Sequence, residues 1–201
     1  VLFRKGDERA MQHIRRAAES DQQFRVPAVD LMMLRFEGDV AAVRQRLGDS
    51  PLILAAICQN LVRAEKFAEA EQVWQGIDVS ERKNQLKEQA KAMAAAAMSA
   101  RHYRFALTLA KDAGQATGEI GSIHDGGFEL GVKARAADAF GWQIADGLEP
   151  QIAVSNSTKR SGDNSLLLQF NTMEASAFRR IAQTIAVEKA QARSGLVRAA
   201  A

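Results

Sequence analysis

The sequence predicts a chain of two parts, paired α-helices over residues 1–117 and then a partial antiparallel β-sandwich over residues 118–201. Three observations carry that division. Apolar residues in the first part recur at spacings of three and four. Nine of the 14 glycines lie from Gly118 onward. The apolar runs after Gly118 are short and are separated by polar turn residues.

The helices follow in order. DERAMQHIRRAAES reads as a single helix, and VPAVDLMMLRFEGDVAAVRQRLGDSP as a helix pair joined at EGD. Asp49-Ser50-Pro51 is a helix start, with Ser50 as N-cap and Pro51 at the first helical position. In LILAAICQNLVRAEKFAEAEQVWQGI, Leu54, Ile57, Cys58 and Leu61 share one face. RAEK then forms a tight connection to a second helix bearing Phe67, Ala70 and Trp74. The arrangement recurs in LKEQAKAMAAAAMSARHYRFALTLAKDAG, with Ala90, Met93, Ala94 and Ala97, then Tyr103, Ala106 and Ala110. Phe67 and Tyr103 lie 36 residues apart, as do Ala70 and Ala106. Asp78 or Ser80 is the expected cap of the next helix, and Gly114 ends the last one.

This pattern resembles the tetratricopeptide repeat, whose helix pairs recur at about 34 residues. Cys58, Ala94, Ala70 and Ala106 supply the small residues that let two helix axes approach closely. VPAVDLMMLRFEGDVAAVRQRLGDSP reads as a degenerate or capping unit of the same kind. What the resemblance implies is a stacked array whose concave groove receives a protein partner.

The second part opens at QATGEIGSIHDGGFELG, which has no helical periodicity. QIAVSN and SLLLQF read as strands divided by STKRSGDN, where Ser161-Gly162-Asp163-Asn164 is turn chemistry. Gly127-Phe128-Glu129, Phe140 with Trp142, Ser161-Gly162 with Leu166–Phe170, and Ile181, Gln183, Ile185 and Val187 together resemble a galactose-binding-like or carbohydrate-binding-module-like jelly roll. The resemblance covers roughly residues 120–188 and implies that Gly127-Phe128-Glu129 opens the first strand. It also implies a structural calcium with Asp125 and Glu129 as oxygen ligands, and a sugar-stacking role for Trp142. Calcium takes six to eight oxygens, so two carboxylates are only part of a set. The core of the sandwich is the alternative place for Trp142, as it is for Phe128 and Phe140. A full jelly roll has eight strands, and this part supplies four or five. Residues 176–193 read in two ways: as a strand, because Ile181, Gln183, Ile185 and Val187 alternate, or as an amphipathic helix carrying Phe178, Ile181, Ala182, Ile185 and Glu188.

Chemistry that would mark an enzyme is missing from the sequence. His13, His102 and His124 are scattered, and there is no H-E-x-x-H, C-x-x-C, G-x-S-x-G or phosphate loop. Cys58 lies on an apolar helix face and reads as a buried thiol. The net charge of +3 splits into 18 basic against 15 acidic residues up to position 117 and nine against nine beyond it. That balance gives no footprint for nucleic acid. Lys159-Arg160 and Arg179-Arg180 read as solubilising charge, and Asn156-Ser157-Thr158 as a solvated turn that is formally a glycosylation sequon.

The single cysteine excludes a disulfide within the chain, and no apolar run reaches the roughly 18 residues that cross a bilayer. The first residue is Val1, so membrane association is expected only through a segment not in this chain. The expectation is therefore a non-enzymatic scaffold or adaptor of the bacterial cell envelope or periplasm rather than the cytoplasm. Its repeats would bind a protein partner and its β part a polysaccharide or other surface component. The alternative is a structural assembly subunit whose β part pairs with another chain, since open strand edges template such pairing.

Overall fold

The computed structural model describes residues 8–132, 140–171 and 178–188. The chain divides into two compact units, Val1–Ala113 and Gly114–Ala201. Among the described residues the first is entirely helical: α1 Glu8–Ser20, α2 Gln22–Arg35, α3 Val40–Leu47, α4 Pro51–Arg63, α5 Phe67–Gln75, α6 Val79–Asn84, α7 Lys87–Ser99 and α8 Tyr103–Asp112. No helix is long and apolar enough to cross a membrane among the described residues.

Side-chain caps start several of these helices by accepting the first orphan N–H groups. Asp21 accepts from Gln23 N at 2.9 Å, and Asp39 from Ala41 N and Ala42 N at 2.9 and 3.1 Å. Ser50 caps α4 with Pro51 behind it, as the sequence predicts. Asp78 caps α6, and its hydrogen bonds from the Ser80 hydroxyl and backbone hold its carboxyl below the usual range. The helix it starts is an extra one, because α7 begins only at Lys87.

Three helix reversals share one construction. After α2, α4 and α7 the chain turns on Glu37, Glu65 and Arg101, with φ of 53°, 59° and 63°. Each donates its N–H to the carbonyl three residues back, at Leu34, Val62 and Met98. The next residue, Gly38, Lys66 or His102, donates to Met33, Leu61 or Ala97 at 2.8–2.9 Å. This is the Schellman closure, which satisfies the last carbonyls of a helix while turning the chain back. The spacing between turns is 28 and then 36 residues, and α6 lies within the longer interval. The result is three helical hairpins, α2/α3, α4/α5 and α7/α8, with α2 packed on α4 and α4 on α7. Gly114, at φ +71°, ends α8 as expected.

The core follows the predicted faces closely on α4 and α7. Leu54, Ile57, Cys58 and Leu61 are buried, as are Ala90, Met93, Ala94 and Ala97. Ala70 and Ala106 are fully enclosed, and the Cys58 thiol reaches the Ala70 carbonyl at 3.5 Å across the α4/α5 crossing. Tyr103 departs from expectation. It is 37% exposed, and Phe105 and Leu109 fill the core from α8 instead. Tyr103 is the first residue of its helix, so its side chain lies at the margin, whereas Phe67 stacks on His102 with centroids 4.0 Å apart.

Polar contacts tie the hairpins together. Arg25 donates through Nε to Ala18 O at 3.1 Å, covering a free carbonyl in the last turn of α1. Asp30 of α2 accepts from Asn60 and Arg63 of α4 at 2.7 and 2.5 Å. Deepest of all, Asp112 Oδ2 accepts from Trp74 Nε1 at 2.8 Å and pairs with Arg82 at 3.2 Å.

The second unit contains short antiparallel strands: β1 Gln143–Ile144, β2 Gln151–Ser155, β3 Ser165–Gln169 and β4 Ile181–Ala182. Among the described residues they form two two-stranded sheets, β1 with β4 and β2 with β3. QIAVSN and SLLLQF pair as a hairpin in the register Gln151↔Gln169 to Ser155↔Ser165, with the expected turn between them. Gly127-Phe128-Glu129 does not open a strand. Asp125 and Phe128 have φ of 50° and 59°, and the Asp125 carboxylate takes the N–H groups of Glu129 and Leu130. With those donors occupied locally, the segment is a folded loop.

The expected strand through Ile181 to Val187 is also shorter than its alternation implies. Only Ile181–Ala182 pairs, and residues 183–188 carry neither strand nor helix. Part of the 176–193 stretch lies outside the described residues. The alternation breaks because Gln183 spends its side chain on a loop, donating to His124 O at 2.6 Å and accepting from His124 N at 3.0 Å.

The left-handed turn residues generate a stability prediction. A non-glycine residue pays a steric cost there, offset in part by the extra freedom glycine has when unfolded. Glu65→Gly and Arg101→Gly should each raise the unfolding free energy by about 0.5–1 kcal/mol in urea titration. Asp39→Ala, which removes a cap, should lower it by about 1 kcal/mol.

Candidate functional site

The residues singled out in the second unit come together around the loop at 124–130. Trp142 is half-buried and donates through Nε1 to Asp125 O at 2.8 Å. One ring face meets Phe128, with centroids 5.0 Å apart and planes 29° apart. Asp125, Phe128, Glu129 and Trp142 thus act on one another. The indole N–H and one face are already engaged.

Asp125 and Glu129 each hold a stretch of backbone. Asp125 accepts from Glu129 N at 2.7 Å and Leu130 N at 3.0 Å. Glu129 Oε1 accepts from Asp163 N at 3.0 Å and Asn164 N at 3.4 Å, and Oε2 from Asn164 Nδ2 at 3.2 Å. Its carboxylate thus cradles the turn that joins β2 to β3. Among the described residues no group of three or more His, Cys, Asp or Glu side chains is placed to hold a metal ion. The two carboxylates contribute acceptors to turns, and among the described residues no further carboxylate joins them toward the larger oxygen set that calcium takes.

His102, His124 and Cys58 each have contacts within the fold. His102 stacks on Phe67, and His124 Nδ1 lies 3.0 Å from Thr117 Oγ1. Cys58 is fully enclosed, and burial pushes its thiol up to about 12. Asn156, Ser157, Thr158, Lys159 and Arg160 are exposed in the β2–β3 connection. Arg180 is exposed, whereas Arg179 donates through Nε to Ala145 O at 3.1 Å.

Two apolar surfaces were not predicted. On α2, Phe24, Pro27, Leu31 and Leu34 lie at i, i+3, i+7 and i+10, which places them on one side of the helix. They face outward: Phe24 is 50%, Leu31 38% and Leu34 78% exposed. The opposite side of α2 is also apolar, with Ala28, Val29, Met32 and Met33 buried. The apolar stripe of a surface helix normally faces the core, so a second stripe left open is unusual. Aligning the hairpins on Glu37, Glu65 and Arg101 shows what stands at these positions elsewhere. In α4 they are Leu52, Ala55, Gln59 and Val62, of which Ala55 and Val62 are buried. In α7 they are Glu88, Lys91, Ala95 and Met98, with the first three exposed. The exposed side of α7 is thus charged or small, that of α4 is largely covered, and that of α2 is open and greasy.

The second surface is the β2–β3 hairpin. Val154, Leu167 and Leu168 are exposed, as are Phe170 and Phe178, whose rings stack at 5.9 Å. Leu167 and Leu168 point to opposite faces of one strand, so both faces carry apolar surface. Both surfaces can be found in the sequence only by asking which apolar residues are left over once the core face is assigned.

The position of Cys58 leads to a chemical test. A thiol this strongly shifted is neutral at pH 7–9 and lacks the thiolate that attacks disulfide reagents. Native protein should leave Ellman's reagent unreacted at pH 8, and one equivalent should react in 6 M guanidinium chloride. Rapid reaction of the folded protein would place the thiol at the surface.

Comparison of the chain with protein-family models, with curated proteins and with solved structures finds no match.

Proposed function

We propose that this chain is a non-enzymatic scaffold whose helical hairpins bind a protein partner along the open side of α2. The observation that carries the reading is the Phe24, Pro27, Leu31 and Leu34 stripe. Contiguous apolar surface on a folded chain marks a contact made with something else, and residues at this spacing engage an apolar counterpart. The likeness of the hairpins to tetratricopeptide repeats supports the same role, because such stacks present extended binding faces. The apolar faces of β2–β3 support a second protein contact in the same assembly. A ribbon of two strands is marginal alone and gains from added polypeptide.

The test is site-specific photo-crosslinking in cells of the source organism. A photoreactive phenylalanine analogue at Leu34 should yield a discrete adduct of higher mass, and the same probe at exposed Arg104 should not. Leu31→Asp combined with the probe at Phe24 should abolish the adduct. Equal labelling from positions 34 and 104 would sink the reading.

A glycan-binding reading of the second unit has one feature in its favour, the part-exposed indole of Trp142. Stacking of a pyranose on the free ring face requires Trp142 to be dispensable for folding. In a glycan array, Trp142→Ala should then lose all signal while keeping its far-ultraviolet circular dichroism. If Trp142→Ala instead loses folded structure, the indole is a packing element around Asp125 and Phe128.

A further inference from the structure

Helix α6 differs from its neighbours in how it is held. It buries no residue of its own among its six, and Val79 is 48% exposed. The residues on either side of it are anchored: Ile77 is 3% exposed and Leu86 fully buried. Between these anchors one long side chain reaches inward. Arg82 pairs with Asp112 Oδ2 at 3.2 Å, the two side chains being 12% and 7% exposed. The same oxygen accepts the Trp74 indole N–H at 2.8 Å. Arg82 Nε is buried with no hydrogen-bond partner.

These facts have an energetic consequence. Burying a guanidinium removes its hydration, and the return depends on how many of its N–H groups find acceptors. Here one of them finds none, so the contact is under-satisfied at a point where nothing else buries the helix. Detaching α6 would restore water to Arg82 and, apart from the indole edge of Trp74, expose little apolar surface, since α6 buries no residue of its own. Trp74 and Asp112 would keep their mutual hydrogen bond, since α5 is packed on α4 and α8 on α7 without need of α6.

We infer that α6 is a strap that opens separately from the rest of the helical unit, swinging on Ile77 and Leu86, with the Arg82–Asp112 pair as its latch. Closed, the strap shields the indole edge of Trp74 and the Asp112 carboxylate. Open, it gives both to solvent. This device is independent of the α2 surface and of any partner there.

Native-state hydrogen exchange on the full chain, read by mass spectrometry, tests the opening. Amides of residues 79–84 should be at least about tenfold less protected than those of α4, and their exchange should respond to low urea much more weakly than global unfolding does, as expected for an opening that exposes little surface. Exchange of α6 only together with α4, with the same urea dependence, would overturn the strap. The latch is tested in a Trp142→Phe background, where Trp74 is the remaining tryptophan. Arg82→Met should raise acrylamide quenching of Trp74 several-fold over the parent, and Arg82→Lys should give an intermediate value. Should Arg82→Met fail to fold, Arg82→Lys decides: unchanged quenching of Trp74 together with unchanged exchange of α6 would overturn the latch.

Discussion

A helix that must reverse within three or four residues leaves its last carbonyls without partners, and this constraint governs the first unit. The chain meets it three times in the same way, with a residue in the left-handed region at Glu37, Glu65 and Arg101. Each closing N–H reaches a carbonyl five positions earlier, and the next helix starts two or three residues beyond the left-handed position. Because the turn is the same, positions counted back from it are equivalent in α2, α4 and α7. The crossings can then be tight where the residues are small, as at Cys58 with Ala70. Side chains at the left-handed position are long and charged, and they point to water, so the steric cost is borne without burying charge.

The second unit is held by a different principle. Its strands are short, and much of its order comes from polar side chains that bind backbone. Gln183 clamps both backbone groups of His124 in the manner of a neighbouring strand. Asp125 ties its own loop, Glu129 ties the β2–β3 turn, and Glu149 accepts from the backbone and side chain of Asn171. Hydrophobic burial contributes less, through Ala116, Phe140, Pro150 and Ala186 among the described residues. A sheet built by side-chain splints tolerates interrupted pairing, which is how Ile181–Ala182 and Gln143–Ile144 suffice as partners.

The helical faces were legible because periodicity records burial directly: Leu54, Ile57, Cys58 and Leu61 need no tertiary knowledge. So was the cap at Ser50, whose function is local, whereas the sequence left Asp78 and Ser80 as alternatives and did not separate α6 from α7. Tyr103 was misplaced because spacing alone does not say that a helix begins there. Alternation at Ile181–Val187 looked like a strand because an amide side chain that binds a distant backbone leaves the same pattern as one facing solvent. The neighbourhood of Trp142, Asp125 and Glu129 was visible as a cluster of residue types. Its internal hydrogen bonds were not, since they depend on positive φ at Asp125 and Phe128. The α2 stripe escaped because an apolar residue on the outer side of a helix is indistinguishable, in one dimension, from one on the inner side. Trp74, Arg82 and Asp112 lie 38 residues apart at their extremes, and only the folded chain makes them a unit.

Gly162 shows how far one absent methyl group can be felt. Its φ is +72°, and a Cβ built there would lie 2.1 Å from Glu129 Oε1. The carboxylate occupies the room that a side chain would need. Any larger residue at 162 must therefore dislodge Glu129 from the turn it binds. Glu129 follows Phe128 directly, and Phe128 is the face on which Trp142 rests. The tip of a solvent-exposed hairpin thus depends on a carboxylate from the loop that also carries Phe128, and the missing methyl group at residue 162 is what lets that carboxylate sit against the turn.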